Sequence, residues 1–497
     1  MQTPQATTPL LTALQELANK PDAAFYAPGH KRGVGVSPQL RDVLGEQVFR
    51  ADLPELPELD NLFAPCGAIE AAQNLAAEAF GAERTWFLVN GSTCGVMAAI
   101  LATCGEGDKI ILPRNVHQSA IAGLILSGAI PIFVTPEYDP DLDLAHSITP
   151  NAVANALQVH PDAKAVMLVY PTYYGACGDV GAIAQICHQH GIPLLVDEAH
   201  GPHFAFHPDL PPSALASGAD LAVQSAHKVL GAMTQASMLH LQGQRIDGDR
   251  ISQALRLLQS TSPSYLLLAS LDATRQQMAL HGEALMSKTL QLAKHCYSQI
   301  AQIPNLSVLH AAHTPGFVTL DPTRMSVNLG KLGISGYEAD EILRQQFGVT
   351  AELPSRQHLT FIISLGNTLT DIETMVNAFR QLAQTRISLS IPSQEQTVFS
   401  RWKEEFLFIH PSSFRLYPSL SPRQAFFAAT ESVPIERADE RICAEMICPY
   451  PPGIPALMPG EEINLATLDY LQQVLNLGGS LTGCSDPTLK TIKVVKG

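Results

Sequence analysis

Short runs of apolar residues recur through the first half of the chain. Each is followed by a polar or glycine-bearing turn, and then by a longer stretch with apolar positions every third or fourth residue. Residues 85–89, 109–113, 130–134, 165–170, 194–197 and 221–224 are apolar without alternation, which predicts strands buried on both faces. Residues 69–80, 96–103, 151–159 and 183–190 carry the helical spacing; the first stretch stops at Gly81, a residue suited to ending a helix. A further helix opens around 114–119. Strands that alternate with helices predict an α/β fold, a mainly parallel sheet with helices on both faces.

The remainder of the chain reads differently. Residues 1–20 have a helical pattern through Leu10, Leu11, Leu14 and Leu17, and residues 25–33 form a Pro/Gly-punctuated turn with basic side chains. Three prolines in 51–67 exclude a helix there. A turn at 231–237 leads into a strand, and a long helical tract from about 265 to 303 reads as a spine between domains. Shorter elements then predict a smaller α+β unit. The expected division is an amino-terminal arm and linker at 1–60, a large domain at 61–305, a small α+β domain at 306–386, a polar connector at 387–403 and a carboxy-terminal domain at 404–497. The proline-rich stretch ending at Pro455 is expected to be an ordered loop without regular structure.

Composition narrows the function. Of 497 residues, 46% are hydrophobic and 15% charged, which is the balance of a globular protein. The net charge of −15, with no basic block, argues against nucleic acid and anionic membranes as partners. Nine cysteines without a CxxC pair, and the lack of a basic-then-apolar leader, suit a reducing cytoplasm. The apolar stretch 120–134 is broken by Ser127-Gly128 and Pro131, so it reads as helix then strand and not as a membrane span. Cys187-His188-Gln189-His190 and His200-Gly201-Pro202-His203 do not assemble a four-ligand set, so no metal is expected.

The candidate chemistry sits just after the strands. Ser92, Thr93, His117, Asp197, His200, Ser225, His227 and Lys228 all follow predicted strands, and ligands of such sheets bind at strand carboxyl ends. A lone lysine is usually a solvated surface residue. Asp197, at the end of another strand, changes that reading, because pyridoxal phosphate chemistry needs this pair. The lysine holds the aldehyde as a Schiff base, and the carboxylate keeps the pyridine nitrogen protonated. The strand–turn–helix pattern at 90–96 can gather backbone N–H groups around a phosphate, with Ser92 and Thr93 adding hydroxyls.

Seven segments, in order, carry a family resemblance: FYAPGHKRG at 25–33, ELPELDNLFAP at 55–65, NGSTCG at 90–95, RNVHQS at 114–119, DEAHGPH at 197–203, SAHK at 225–228 and PYPPGIP at 449–455. Together they resemble the Orn/Lys/Arg decarboxylase family, pyridoxal phosphate enzymes of fold type I, over about residues 8–480. The chain starts close to its PGHK motif and so resembles the short form, which lacks the amino-terminal wing domain. Glu440 stands where the family commonly has glycine before the arginine of its RIxAE motif.

The resemblance implies a role for each motif residue. Lys228 holds the cofactor, Asp197 pairs with the pyridine nitrogen, and His117 and Ala199 cover the two ring faces. Ser92, Thr93, Ser225 and His227 hold the phosphate. His200 touches the cofactor's phenolic side or the substrate carboxylate. Ser262 reaches the phosphate of a neighbouring subunit, which implies a homodimer or a dimer-based oligomer with shared sites. Lys228 or His117 returns a proton to Cα. The implied substrate is a basic amino acid, with arginine ahead of lysine and ornithine, and the implied setting is polyamine metabolism. Its distal cation needs a carboxylate, for which Glu352, Glu445 and Asp60 are candidates. An aminotransferase or Cα–Cβ lyase would use the same lysine and aspartate. An aminotransferase would add an arginine clamp, for which Arg324 and Arg344 are available by position. The presence of Lys228 argues against a non-catalytic binding protein.

Overall fold

The computed structural model describes residues 4–311, 314–388 and 420–497. The chain forms two compact units, one of Met1–Ala102 with Leu195–Ser287 and one of Thr103–Leu194 with Lys288–Gly497. Both units draw residues from the expected large domain, and most of the expected connector, 389–403, lies outside the described residues.

In the first unit, strand Arg84–Leu88 pairs antiparallel with Ser237–Leu241, which pairs antiparallel with Leu221–Gln224. That strand in turn runs parallel to Leu194–Asp197, with Asp197 level with Val223. These strands are buried almost end to end, which is why their sequences are apolar without alternation. Helix Gly91–Thr103 lies close on this sheet. A Cβ added at Gly95 would stand 2.7 Å from both Leu88 Cδ1 and Val223 Cγ1, so only glycine permits the approach. This helix begins five residues before the expected position, because Gly91 and the NGSTCG motif form its first turn and not a preceding loop.

Two other helices follow their sequence cues. Helix Ala68–Phe80 buries Ile69, Ala72, Ala76, Ala77 and Phe80 along one side and ends at Gly81 in the left-handed conformation, φ +72°. Helix Pro9–Asn19 buries Leu10, Leu14 and Leu17. The prolines in 51–67 do exclude an α-helix, but Pro57 opens a single 3-10 turn, Pro57–Leu59. In the FYAPGHKRG turn, His30 meets Asp52, Lys31 meets the Tyr26 carbonyl, and Arg32 meets Asp22 and the Tyr26 hydroxyl.

In the second unit, Lys109–Pro113 runs parallel to both Ile130–Val134 and Ala165–Val169. The pairings of Lys109–Pro113 with its two neighbours and of Leu194–Asp197 with Leu221–Gln224 are thus parallel, and the antiparallel ones described belong to Ser237–Leu241, so the α/β class stands. Helices Gln118–Ser127, Pro150–Val159 and Val180–Gln189 follow the strands of this unit. The spine helix runs for 36 residues, Tyr265–Ile300.

Beyond the spine comes an antiparallel sheet in the order Ser307–Val308, Arg324–Asn328, His358–Ile362, Leu353–Pro354, packed with helices Gly336–Phe347 and Leu369–Ser388. The chain ends in a part built around helix Leu465–Asn476 and two ribbons, Thr430–Pro434 with Thr491–Val495 and Cys448–Tyr450 with Ser480–Thr482. The second ribbon corrects the expectation that the proline-rich stretch is a loop without regular structure. Pro449 sits within a two-stranded ribbon, where a strand has one unpaired side to tolerate it. At Glu440, where the resemblance leads one to expect glycine, the backbone takes a left-handed turn, φ +62°.

Candidate active site

Parallel pairing sets the first cluster. Asp197 ends its strand level with Val223, so the chain emerging after Gln224 starts close to the aspartate. Ser225 precedes a single helical turn, Ala226–Val229, which carries His227 and Lys228. Lys228 Nζ lies 2.9 Å from His200 Nε2. An ammonium can only donate here, so the imidazole accepts at Nε2.

Asp197 is 7% exposed and accepts a hydrogen bond from the Ala199 amide at 3.2 Å. Burial pushes its carboxyl above the ordinary carboxylate range, against the pull of Lys228 and the Ala199 amide. Ala199 is itself buried. Ser225 Oγ donates to Ser92 Oγ at 2.8 Å, and this joins the SAHK segment to the first turn of helix Gly91–Thr103. Thr93 is exposed beside it. His227 Nδ1 lies 3.0 Å from the Ala236 carbonyl, so that nitrogen carries the proton. Ser262 is exposed, and its amide bonds to Ser260 Oγ at 3.1 Å.

A buried polar row behind this cluster was not singled out in the sequence. Glu198 Oε1 accepts from the Ala214 amide at 2.7 Å, and its Oε2 accepts from Gln224 Nε2 at 2.8 Å. Gln224 Oε1 then lies 3.1 Å from His240 Nε2, and His240 Nδ1 lies 2.8 Å from Thr85 Oγ1. Burial raises the Glu198 carboxyl to about 8 and lowers His240 to about 3, so the imidazole is neutral. The available signal was the polar residue inside each otherwise apolar run: Thr85, Gln224 and His240.

The second unit holds His117, which stands one residue before helix Gln118–Ser127 as its N-cap and not within its first turn. Its Nδ1 accepts the Ser119 amide at 3.2 Å and lies 2.8 Å from Ser119 Oγ. Arg114, at the end of strand Lys109–Pro113, makes a bidentate pair with Glu461 at 3.0 and 2.9 Å.

The three candidate carboxylates are in unlike settings. Asp60 accepts amides from Asn61, Cys66, Gly67, Ile69 and Glu70 and so caps helix Ala68–Phe80. Glu445 is buried, with one oxygen on the Ser485 amide at 2.7 Å and the other on the Lys493 amide at 2.8 Å. Glu352 is exposed. The two arginines considered as a clamp differ in setting. Arg324 is buried 3.8 Å from Asp321, and Arg344 pairs with Glu341.

The Asp197 cluster fits pyridoxal phosphate. A carboxylate held in an apolar setting is stabilised by a cationic ring nitrogen, and an amine and a hydroxyl-bearing helix start lie in the same unit. Among the described residues there is no group of three His, Cys, Asp or Glu side chains placed to hold a metal, and no helix long and apolar enough to cross a membrane.

Comparison with known proteins agrees with this chemistry. The family described as Orn/Lys/Arg decarboxylase, major domain, matches residues 8–319, and its C-terminal domain matches residues 405–486. The chain is 38% identical over 494 residues to an arginine decarboxylase of Bacillus subtilis, covering 99% of this chain and 98% of that one. It is 28% identical over 568 residues to the lysine decarboxylase LdcA of Pseudomonas aeruginosa, covering 93% of this chain and 75% of that one. Among solved structures, lysine decarboxylase A of Pseudomonas aeruginosa superimposes with a TM-score of 0.84 at 24% identity, covering 99% of this chain and 81% of that one. At that identity the likeness is one of fold.

Proposed function

Because the chain belongs to the Orn/Lys/Arg decarboxylase family, we propose that it is a pyridoxal phosphate-dependent decarboxylase of a basic amino acid, with arginine as the first choice. The observation that carries this reading is the buried carboxylate of Asp197 in one cluster with the amine of Lys228. Arginine stands ahead of lysine and ornithine because the arginine decarboxylase relative matches at 38% identity across nearly the whole of both chains. Agmatine would be the product, and polyamine metabolism in the cytoplasm its setting.

When bound, pyridoxal phosphate supplies an electron sink conjugated to the substrate's Cα. Lys228 would hold its aldehyde, and His200, 2.9 Å from the Lys228 amine, would orient that amine. Asp197 keeps the ring nitrogen protonated, because an opposite charge favours the charged form. By the family resemblance, His117 and Ala199 would cover the ring. Ser92, Thr93, Ser225 and His227 hold the phosphate at the start of helix Gly91–Thr103, where amide donors converge. Lys228 or His117 delivers the proton to Cα after CO2 leaves. Glu352 is the favoured partner for the substrate's distal cation, since Asp60 and Glu445 already spend their oxygens on backbone amides. Ser262 would serve the phosphate of a second subunit in a homodimer.

The test is CO2 release by the purified protein with added pyridoxal phosphate, run side by side on arginine, lysine and ornithine. Fast turnover of arginine is expected. No release from any of the three, with the cofactor's visible band present, would refute the reading and favour a transaminase or lyase.

A further inference from the structure

Helix Gln118–Ser127 is held at both ends by the last part of the chain. At its start, the Gln118 amide donates to the Gly453 carbonyl at 3.1 Å. At its finish, Arg423 Nη1 donates to the carbonyls of Ile125 and Leu126, each at 3.0 Å. These are the groups a helix cannot satisfy from within. Three residues before His117, Arg114 fixes the approach. Its Nε and Nη2 grip Glu461, its Nη1 donates to the Pro455 carbonyl at 2.7 Å, and its Nη2 also reaches the Ala456 carbonyl at 3.2 Å. Glu461 is buried and tied to its own loop through the Met458 amide at 3.0 Å. One guanidinium thus joins the RNVHQS segment to the chain that immediately follows Gly453.

Gly453 also lies beside the imidazole. Its φ is +89°, and a Cβ there would lie 3.4 Å from His117 Nε2 and 3.1 Å from Gln118 Nε2. The ring is therefore bounded on two sides, with Nδ1 on the Ser119 amide and Nε2 facing the space that a side chain at position 453 would fill.

We propose that Arg114, Glu461 and Gly453 are positioning residues for His117, so that the PYPPGIP loop and the Arg114–Glu461 pair set where the imidazole stands and keep its Nδ1 an acceptor. The consequence for catalysis rests on the reading of His117 as the ring-facing residue; the geometry around the imidazole does not. Bidentate geometry matters here because it fixes the plane of the guanidinium as well as its position, and a lysine could not do so.

Two variants test this, Glu461→Gln and Gly453→Ala. In the cofactor-free protein, the rate at which diethyl pyrocarbonate modifies His117 is followed by peptide mass spectrometry, with exposed His190 as the internal reference. In Glu461→Gln the His117 rate is expected to rise severalfold while His190 stays unchanged. In the loaded enzyme, both variants should shift the cofactor's visible circular dichroism and lower kcat about tenfold or more with KM within about twofold. A folded Glu461→Gln protein with a lower unfolding midpoint, but the wild-type His117 rate and dichroism, would overturn the proposal and leave the pair a packing element. If Glu461→Gln does not fold, Gly453→Ala carries the test, since it leaves the ion pair intact; an unmoved dichroism band there would be equally fatal. Failure of both variants to fold would likewise overturn the proposal, because it would make the segment a requirement of folding. A wild-type protein that binds the cofactor but releases no CO2 would refute the functional reading and leave the His117 measurement to decide this one.

Discussion

Replacing Asp60 by asparagine separates a structural carboxylate from a substrate anchor. Asp60 Oδ2 accepts from Gly67 at 2.7 Å, Ile69 at 3.1 Å and Glu70 at 3.3 Å, while Oδ1 takes Asn61 at 2.8 Å and Cys66 at 3.0 Å. Burial opposes the charge, but the amides of Cys66, Asn61, Gly67 and Glu70 outweigh it and hold the pKa below the ordinary aspartate value. Asparagine keeps one acceptor oxygen and turns an NH2 group on the remaining donors. Hydrogen bonds to a charged acceptor are worth about 1.5–3 kcal/mol each, and they do not add fully when they share one group, so we expect a loss of about 3 kcal/mol.

The assay is urea unfolding of both proteins across pH. A depressed native pKa stabilises the fold above the unfolded value and loses that contribution as pH falls through the native one. The gap between the proteins should therefore be constant above about pH 4 and narrow below it. The KM for arginine should stay within about twofold, since a carboxylate whose oxygens are already committed to backbone amides has little left to offer the substrate. An unchanged unfolding midpoint together with a large rise in KM would refute the reasoning and return Asp60 to the substrate.

Three further outcomes are expected. Lys228→Ala should abolish the cofactor's visible band, and its survival would show that another amine holds the aldehyde. Asp197→Ala should retain a bound chromophore but lose most turnover, because no opposite charge then holds the ring nitrogen protonated; a wild-type rate would remove that role. Glu352→Gln should raise KM for arginine more than for a neutral analogue, and equal effects would clear the residue of side-chain recognition.

Much of the sheet is legible in the chain itself. Strand ends at Asp197 and Gln224 were readable because the runs before them are apolar without alternation, as strands buried on both faces must be. Lys228 and Asp197 are singled out together in the sequence because the expected chemistry needs both, and the structure brings them into one cluster. The choice among the carboxylates was not, because what distinguishes Asp60 and Glu445 from Glu352 is the backbone amides that fold around them. Those donors carry no sequence signature: Ser485 and Lys493 stand far along the chain from Glu445. The early start of helix Gly91–Thr103 was missed for a related reason. Gly91 and Gly95 weaken a helix locally, yet the tight approach at Gly95 repays them by packing. The same holds for Arg114, whose partner Glu461 lies in the carboxy-terminal part.

The left-handed turn at Glu440 has a consequence of another kind. Here a side chain occupies a conformation that glycine takes without penalty, and the fold accepts a cost of about 1 kcal/mol to keep it. The turn itself is not optional: the Glu440 amide bonds to the Ile463 carbonyl at 2.9 Å, and the Arg441 amide to the Ala438 carbonyl at 3.1 Å. The shape of this corner is thus set by the two chain segments that meet there and not by the residue at its tip. The chain thus has room for added stability at this point, which substitution by glycine is expected to release without touching any residue assigned to the chemistry.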